Sequence, residues 1–568
     1  MNSTNNSQNN KPSLNTPNVT TSIEKMSQKN HHSTSLMGRE EGVPWIWVCG
    51  GALITILVMI LALFGVILSG GAQALWPKSI YSLTAENQSQ FLGIAFRMTS
   101  SPDAKGIDTQ RMMIFSGNQD FATPEFVYID PNQIKTALQN PDSWYIERLE
   151  WGPFIGTIYE NSAGPNPTVE AIESDIAMGL QRLKNIHNLE AQGISPLNSK
   201  IEALRIERRG YARKKSQGIV ISDSEIQKID SELTTILARH AKISEQIQLL
   251  RQDDDKFKFS LRDSAGTVKT IPVSHIVRAF QPNKLGIFGR LKIFFSRLWE
   301  FVSGEPREAN SAGGVFPALF GTVAMTFLMT LAVMPIGILT AVYIREIASQ
   351  GMLVSLVRIA VGNLAGVPSI VYGVFGLGFF CYTIGTSIDK LFYEDKLPTA
   401  TFGTGGILWA SLTLAMLTVP VVIVSTEEAL SSVPRTLREA SYGCGATRLQ
   451  TLLYIVLPRA MPGIMTGLIL AMARGVGEVA PLLMTGVVKL APSLPVDSVF
   501  PYVHLERSFM HLGFHIYDVG FQSRSTEATR PMVFASTSLL IAIVLTLNFA
   551  AIKIRSRLRK RFEGRGAF

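Results

Sequence analysis

The sequence predicts an all-α polytopic membrane protein with six transmembrane helices and a large external insert that is mainly helical. Only 17% of its 568 residues are charged and 46% are hydrophobic, whereas soluble globular proteins carry about 25% charged residues. Six stretches are long and apolar enough to cross a bilayer, which takes about 20 residues in a helix. A long polar region with helical periodicity separates the first stretch from the other five.

Charge and cysteine content exclude several other classes. The net charge is +9, but seven basic residues are gathered in the last sixteen, KIRSRLRKRFEGRGAF. A basic segment beside an apolar helix is typical of a cytoplasmic membrane flank, so we predict no nucleic-acid binding. Cys49, Cys381 and Cys444 are too few and too scattered for a disulfide framework or a metal site. The sequence therefore predicts no cofactor of its own.

The N-terminal part is predicted to be a disordered cytoplasmic tail followed by a membrane anchor. Residues 1–43 have almost no large apolar side chains, so they bury too little surface to offset the entropy of ordering. The first transmembrane helix follows at 44–69. Ala72-Gln73-Ala74 resembles the cleavage site of a signal peptide, but the lengths of the apolar run and of the leader favour an uncleaved anchor.

The six predicted spans place both termini on the same side of the membrane. They are residues 45–69, 318–344, 359–383, 406–425, 464–487 and 532–554. The basic tail at 557–568 and the arginines in the loops after the second and fourth spans predict that this side is cytoplasmic. Residues 70–310, called the insert here, are then external, and residues 311–556 form a core with five spans.

The insert contains a pattern typical of a coiled coil. Between residues 222 and 250, apolar residues recur at spacings of three and four, with His240 in the one polar position, which forms an a/d seam. Ser222 and Glu225 fit a capping box at its start. Helical runs at 172–189 and 197–204 are candidates to pack against it. For this helical part of the insert, a structural role is favoured over a role as a binding surface.

Two smaller elements complete the insert. The stretch KFKFSLRDSAGTVKTIPVSHIV alternates in polarity and contains a turn-like SAGT, so it predicts a small β element. Residues 286–303 carry an apolar stripe that includes Phe288 and Phe295. This stripe predicts an interfacial helix on the outer membrane face, although packing onto the insert would give the same pattern.

The loop between the fourth and fifth spans, residues 430–459, carries the most specific motif. Its stretch REASYGCGATRLQTLLYIVLP predicts a short helix whose first residue is Pro434, a break at 443–445, and a second helix that Pro458 ends. The spacing resembles the EAA loop of ABC importer permeases, with Ser441 where the motif has alanine. The resemblance implies a type I ABC importer permease fold and a loop that docks on a separate cytoplasmic ATPase. The matching residues are Glu439, Ala440, Ser441, Gly445, Ile455, Leu457 and Pro458.

Two further stretches resemble phosphate-importer permeases of the PstA type. They are NLAGVPSIVYGVFGLG and ARGVGEVAPLLMTG, and HLGFHIYDVGFQS in the last external loop also fits. The resemblance implies a phosphate permease, with another oxyanion such as sulfate or molybdate as the alternative. Gly366, Pro368 and Ser369 are expected to break or kink the third span and shape the channel, although close helix packing explains the glycine and serine equally well.

Arg474 and Glu478 are expected on one face of the fifth span, because residues four apart are neighbours on a helix. Charges at membrane depth are costly and face a cavity or each other, and a guanidinium group suits an oxyanion. We predict that Arg474 attracts the anion, while Glu478 accepts a hydrogen bond from protonated phosphate or holds Arg474. A purely structural ion pair remains the alternative.

The resemblance also implies the partners. They are a second, related permease subunit, two copies of the ATPase and a periplasmic phosphate-binding protein. The sequence has no GxxxxGK[ST] loop, whose backbone would cradle nucleotide phosphates, so the chain is predicted not to be an enzyme and ATP would be bound by the partner. His504, His511 and His515 lie close together, but no further patterned ligand supports a metal. A membrane-anchored sensor or scaffold is the alternative from another class.

Overall fold

The computed structural model describes most of the chain. The described residues are 43–86, 90–102, 108–121, 124–161, 164–165, 167–216, 218, 222–497, 500–523 and 525–563. The predicted disordered tail, up to residue 42, and the last five residues of the basic tail lie outside them. The chain divides into two compact units, residues 1–66 and 67–568, and each is described by itself.

Six helical segments of the described chain are long and apolar enough to cross a membrane, which confirms the predicted number. They are Trp45–Leu75, Phe316–Ile347, Ser369–Phe392, Ile407–Ser431, Arg448–Gly477 and Thr526–Lys560. In the first unit, the described residues all belong to helix α1 (Val43–Leu75), whose side chains are apolar and mostly exposed. The last residues of α1 belong to the second unit.

The third and fifth spans have other bounds than predicted, although the predicted break in the third span is present. Apolar composition continues across the interruptions, so it gave spans at 359–383 and 464–487. In the structure α7 (Met352–Leu364) ends before Pro368, and α8 (Ser369–Phe375) starts a new helix. Similarly, α13 (Leu457–Gly477) ends before Glu478, and a short helix α14 (Ala480–Thr485) follows. A proline within an apolar stretch cannot donate the backbone hydrogen bond that would continue the helix.

Helix α10 (Ile407–Ser431) is the most buried of the six spans and forms the centre of the core. It packs against α6 (Phe316–Val342) and α13. Small residues allow the backbones to approach: a Cβ atom at Gly337 would lie 2.5 Å from Val422, and one at Gly467 would lie 2.4 Å from Ser425. Close approach through small residues is how helices associate where hydrophobic burial gives no advantage.

The insert contains two β-sheets. The first has five strands in the order β4-β3-β2-β1-β5, and the second has six strands, ordered β10-β9-β7-β6-β11 with β8 paired to β7. Their bounds are β1 Tyr81–Ala85, β2 Gln90–Pro102, β3 Asp108–Phe115, β4 Phe126–Ile129, β5 Ile134–Gln139, β6 Trp144–Arg148, β7 Phe154–Asn161, β8 Gly164–Pro165, β9 Lys258–Arg262, β10 Val268–Pro272 and β11 Ile276–Phe280.

The prediction of a mainly helical insert with one small β element was therefore wrong for residues 81–165. The predicted β element is confirmed as β9, β10 and β11, but it is part of the larger sheet. Strand β9 pairs with β7 across about one hundred intervening residues of chain, with Ile158 opposite Leu261. This pairing depends on distant parts of the sequence and leaves no local turn signal between the partners. Strands β1 to β4 instead pair in chain order, so the signal missed there is local.

Three helices lie between β8 and β9. They are α2 (Val169–Leu189), α3 (Ser195–Ser216) and α4 (Asp223–Asp254), which confirms the predicted helical runs. Along α4 the seam residues Ile229 and Ile247 are buried and His240 is half-buried, while packing as a coiled coil stays a prediction. The predicted capping box at Ser222 was wrong, because its hydroxyl bonds the Ser224 hydroxyl instead.

Helix α5 (Ile287–Ser303) is attached to the second sheet by buried ion pairs. Arg297 lies 2.6 Å from Glu147 of β6, and Arg278 of β11 lies 3.0 Å from Glu300. The opposite face is apolar and exposed, with Phe288 85% and Trp299 73% accessible. The charged side chains on the polar face of α5 thus find their partners within the protein. Contact of the exposed apolar face with a membrane surface stays a prediction.

The remaining elements are short, apart from the last helix. They are β12 Pro306–Arg307, β13 Ala312–Gly313, α9 Thr386–Phe392, α11 Arg435–Gly443, α12 Arg448–Thr451, α15 Leu512–Tyr517 and α16 Thr526–Glu563. In α9, the carboxylate of Asp389 is buried and accepts hydrogen bonds from the backbone N–H groups of Thr401, Phe402 and Gly403. This carboxylate fixes the loop that enters α10.

Candidate functional site

The loop between the fourth and fifth spans forms two short helices joined by a glycine turn, as predicted. Two details of the prediction were wrong. Pro434 precedes α11 in an extended conformation, so the helix begins at Arg435. Pro458 does not end the second helix, which runs from α12 through a π-helical turn at Leu452–Val456 into α13. The wider turn shifts the hydrogen-bond register just before Pro458, where the proline N–H is missing.

Gly445 is required by the backbone of the turn rather than by its surroundings. Its φ is +84°, and a Cβ atom placed there would meet nothing within 4 Å. The amide of Gly445 donates to Tyr442 and the amide of Ala446 donates to Ser441, so the turn caps α11. A left-handed conformation costs other residues about 1–2 kcal/mol.

Ser441, the departure from the EAA pattern, connects the two helices of the loop. Its hydroxyl lies 2.9 Å from the hydroxyl of Thr451, which is 1% exposed. Thr447 caps α12 through a reciprocal pair of hydrogen bonds with Gln450. Alanine at position 441 would leave the Thr451 hydroxyl without this partner.

Replacing Ser441 with alanine is expected to lower the stability of the loop by about 1–2 kcal/mol, because the buried Thr451 hydroxyl loses its partner. The double substitution Ser441→Ala with Thr451→Val should recover most of the loss, since no polar group is then left unpaired. Hydrogen exchange of the backbone amides in α11 and α12 measures the loss in the single variant and the recovery in the double variant. Equal protection of the parent and the single variant would contradict the role given to this bond.

Arg438 joins the loop to the rest of the core. Its guanidinium group lies 2.9 Å from Glu346, which follows α6, and also donates to the carbonyl oxygens of Leu430 and Val433. The side chains of Arg438 and Glu346 are only 17% and 20% exposed. Arg438 therefore bonds α11 to the end of α10 and to the segment that follows α6. The sequence analysis did not single out Arg438, since its partner is 92 residues away.

The outer face of the loop is exposed and mostly uncharged. Glu439, Ala440 and Gly445 are exposed, whereas Ile455, Leu457 and Pro458 are half-buried at the base of the fifth span. Large side chains that the sequence analysis missed lie on the same loop and are also exposed: Tyr442 46%, Leu449 63%, Leu453 47% and Tyr454 75%. An exposed apolar patch rimmed by polar residues is typical of a protein-binding surface.

The predicted channel-shaping residues lie at the break in the third span. Gly366 follows the end of α7, Pro368 precedes α8 in an extended conformation, and Ser369 is the first residue of α8. The hydroxyl of Tyr372 donates to the freed carbonyl of Leu364 at 2.8 Å. The predicted break is therefore confirmed, and a role in shaping a channel stays a prediction.

The two helix breaks lie next to each other. Gly373 of α8 packs on Pro481 of α14, where a Cβ atom would lie 2.8 Å from the proline Cα. Gly376 likewise approaches Thr485 and Thr413. Non-helical backbone at membrane depth is tolerated only where it is buried in protein or lines a water-filled cavity. Two adjoining breaks therefore mark this part of the core as a candidate passage for a polar solute.

Arg474 and Glu478 lie at the second of these breaks, and not on one continuous helix face as predicted. Arg474 is in the last turn of α13, and Glu478 is the first residue past its end, with extended backbone. Their side chains still form an ion pair, with 3.6 Å between Nε and Oε1, and are 37% and 23% exposed. This long separation is beyond hydrogen-bonding distance, so the guanidinium group remains available to another oxygen acceptor.

Three histidines lie between the fifth and sixth spans. His504 contacts Asp497 and Glu506, both at 3.2 Å, while His511 and His515 are almost wholly buried. Within the described residues, no group of three or more His, Cys, Asp or Glu side chains could hold a metal ion. Burial lowers the pKa of His511 to about 4. Burial also lowers the pKa of His515 to about 4, although the nearby carboxylate of Asp518 acts in the opposite direction.

These two histidines are expected to make the protein less stable as the pH falls. Below pH 6.5 the unfolded chain binds protons that the folded chain excludes, so stability is full above that pH and declines toward pH 4. The loss is on the order of 3 kcal/mol for each histidine. Thermal unfolding of the parent and of His515→Gln at pH 7.5 and 5.0 measures it, and the variant should show the smaller change. Identical pH dependence in both would refute the assignment.

One family model matches the part of the chain that contains both regions. Residues 333–563 match the binding-protein-dependent transport system inner membrane component family. This range includes the loop between the fourth and fifth spans and both helix breaks. The likeness therefore covers all the predicted site residues and leaves the insert outside it.

Several curated relatives are similar over the same part. The phosphate transport system permease protein PstA 1 of Mycobacterium tuberculosis (strain CDC 1551 / Oshkosh) is 36% identical over 250 residues, which are 43% of this chain and 71% of the relative. The phosphate transport system permease protein PstA of Yersinia pestis is 32% identical over 275 residues, which are 47% of this chain and 83% of the relative.

Chains of solved structures also match this chain, at low sequence identity. A chain of the MetNI methionine ABC transporter in an inward-facing conformation has a TM-score of 0.32 and 21% identity, and the match covers 42% of this chain and 94% of that one. A bacterial ABC transporter involved in alginate import has a TM-score of 0.29 and 20% identity, with 42% of this chain and 79% of that one covered.

Proposed function

This chain belongs to the PstA-type family of binding-protein-dependent ABC permeases, and from that premise we propose that it is one membrane subunit of an ATP-driven importer of inorganic phosphate. Members of this family are multi-pass inner membrane proteins and are not enzymes themselves. The observation that carries the proposal is that the family match at 333–563 contains the EAA-like loop together with both helix breaks. The named functions of the relatives add phosphate as the substrate.

The basic tail and the loop arginines support an orientation with both termini in the cytoplasm. The loop with α11 and α12 then faces the cytoplasm and the insert faces outward. A periplasmic phosphate-binding protein would deliver the substrate to the outer side. A second, related permease subunit would complete the pathway, because six spans supply half of it.

The exposed face of the loop is the proposed docking surface for the ATPase. Glu439, Ala440, Tyr442 and Leu449 are exposed and form a mixed polar and apolar patch. When two ATPase subunits bind ATP and close, they would move α11. The bonds of Arg438 to Glu346 and Leu430 would carry that movement to α6 and α10. ATP-dependent closure supplies the difference in free energy between the two states of the pathway.

The adjoining helix breaks are the proposed passage for the anion. A guanidinium group is well suited to phosphate oxygens, and Arg474 is only loosely paired with Glu478. Phosphate carries a proton near neutral pH, so Glu478 can accept a hydrogen bond from it. Sulfate has no such proton, and the carboxylate would repel it.

Uptake of labelled phosphate tests the proposal. Cells that contain the full transporter should import phosphate, and cells that lack this chain should lose the import that depends on ATP. Sulfate in excess should not compete. Import that is abolished by sulfate would assign the pathway to another oxyanion, and unchanged phosphate import without the chain would refute the proposal.

A further inference from the structure

A cavity of about 890 Å³ lies where the insert meets the last span. Its wall includes Leu75 at the end of α1, residues of both sheets, helix α5, and the first turns of α16 up to Ala535. All these parts belong to the second unit. The volume falls within the range of about 300–1,000 Å³ that is usual for small-molecule sites. The proposed transport pathway, at the breaks near Glu478 and Pro368, does not use it.

One side of the cavity is apolar and continues onto a membrane helix. Phe96 and Tyr145 belong to the insert, and Met532 and Ala535 belong to α16, the sixth candidate span. The cavity therefore adjoins the first turns of the sixth candidate span, the end that the proposed orientation places on the outer side of the membrane. An amphiphilic ligand could place its chains against α16 and its polar end within the insert.

Lys78 gives the polar part of the cavity a cation that forms no ion pair within the described residues. Arg297 and Arg307, which also line the cavity, are paired with Glu147 and Glu300. The ammonium group of Lys78 lies 4.9 Å from the centroid of the Phe96 ring, and no carboxylate of the described residues pairs with it. Burial lowers the pKa of Lys78, which shows that the protein supplies little to compensate for the lost solvation.

Asp518 adds a buried acceptor to the same cavity. One of its carboxylate oxygens lies 3.0 Å from the ammonium group of Lys489, and the side chain is 2% exposed. The other oxygen, Oδ1, has no hydrogen-bond donor among the described residues. A buried polar atom without a partner costs free energy, so a bound molecule with a donor group would stabilise this arrangement.

We propose that this cavity binds a phospholipid whose phosphodiester pairs with Lys78 and whose headgroup donor reaches Asp518, with its chains against Met532 and Ala535. Phosphatidylethanolamine and phosphatidylglycerol both combine a phosphodiester with a donor, an ammonium group in one and hydroxyls in the other. Phosphatidylcholine has the phosphodiester but no donor. Inorganic phosphate would leave the aromatic and apolar wall uncovered and most of the volume unfilled.

Native mass spectrometry of the full-length chain with its copurifying partners tests the proposal. After removal of endogenous lipid, the complex is titrated with each of the three phospholipids. Phosphatidylethanolamine and phosphatidylglycerol should be retained in preference to phosphatidylcholine. Lys78→Gln should weaken retention about tenfold through loss of a charge-assisted bond, whereas Lys78→Arg should retain it. The matched control is Lys284→Gln, because Lys284 is exposed and pairs with Asp142 outside the cavity.

A second variant keeps the test independent of any folding defect at position 78. Asp518→Asn preserves the size of the side chain and should remove the preference for phosphatidylethanolamine over phosphatidylcholine. Equal retention of all three lipids by the parent, retention unaffected by Lys78→Gln, or displacement of the lipid by inorganic phosphate would each overturn the proposal. Because phosphate uptake is measured separately, failure here leaves the proposed transport function untouched.

Discussion

Replacing Gly445 with valine is expected to reduce phosphate uptake about tenfold or more, although the residue is exposed. Its φ is +84°, and a Cβ atom there would meet nothing within 4 Å among the described residues, so it is the backbone conformation that requires glycine. A left-handed conformation costs a non-glycine residue about 1–2 kcal/mol, and 1.4 kcal/mol is a factor of ten in population. The turn would relax, and α11 would lose the orientation that docking requires.

Gly443 provides a matched control for this substitution. It lies two residues away in the same turn, and a Cβ atom there would also meet nothing within 4 Å. Its φ is not positive, because it is the last residue of α11. Gly443→Ala should therefore leave uptake close to that of the parent, and Gly445→Asn should lie between parent and Gly445→Val, since asparagine tolerates the left-handed region.

Uptake of labelled phosphate and copurification of the ATPase are the two measurements. Gly445→Val should impair both, because the loop is the proposed contact with the ATPase. Uptake by Gly445→Val at the level of the parent would refute the requirement for this turn. Equal impairment by Gly443→Ala would mean that the loop tolerates no side chain there, whatever its backbone conformation.

The loop was predictable because its determinants are local. The glycine pair around Cys444 breaks the helix in the sequence itself, and the spacing from Glu439 to Pro458 is read within a single loop. Its attachment was not predictable. Arg438 and Glu346 are separated by 92 residues, and nothing in the neighbourhood of either residue indicates the other. Residues that pair over such distances become visible only when the spans are packed together.

Part of the error in the insert follows from the same distinction, whereas the error in the fifth span does not. Helices α2, α3 and α4 have their own periodicity, whereas the second sheet joins β7 to β9 across those three helices. For the fifth span, the apolar composition continues to Val487, so it gave no sign that α13 ends at Gly477. Pro481, close behind Glu478, was the local signal that could have indicated this break.

Replacing Arg474 with glutamine is expected to reduce phosphate uptake about 10- to 150-fold, which corresponds to the 1.5–3 kcal/mol of a hydrogen bond to a charged group. Glutamine keeps a donor but loses the charge and the fork of N–H groups that match phosphate oxygens. The measurement is uptake by cells in which the variant is present in normal amounts and still copurifies with its partners. Normal uptake under these conditions would count against a place in the pathway.

The pair of Arg358 and Glu427 is a matched control for loss of an ion pair as such. Its atoms are 2.9 Å apart, and its side chains are 37% and 19% exposed, close to the 37% and 23% of Arg474 and Glu478. Because Arg358 is also hydrogen-bonded to Glu427, Arg358→Gln should cost at least as much stability and leave much more of the uptake. Equal loss of uptake in the two arginine variants would indicate a structural role for both pairs.

The double variant Arg474→Gln with Glu478→Gln separates the two readings of this pair. If the pair only stabilises the break between α13 and α14, each single variant leaves one charge unpaired at membrane depth, and the double variant should recover uptake because neither charge remains. If Arg474 binds the anion, the double variant should stay as inactive as Arg474→Gln.

Glu478→Gln alone then gives an independent readout. Without its carboxylate the passage no longer repels an oxyanion that lacks a proton, so sulfate should begin to compete with phosphate. Sulfate competition in this variant, together with no recovery in the double variant, would assign attraction of the anion to Arg474 and selection for its proton to Glu478.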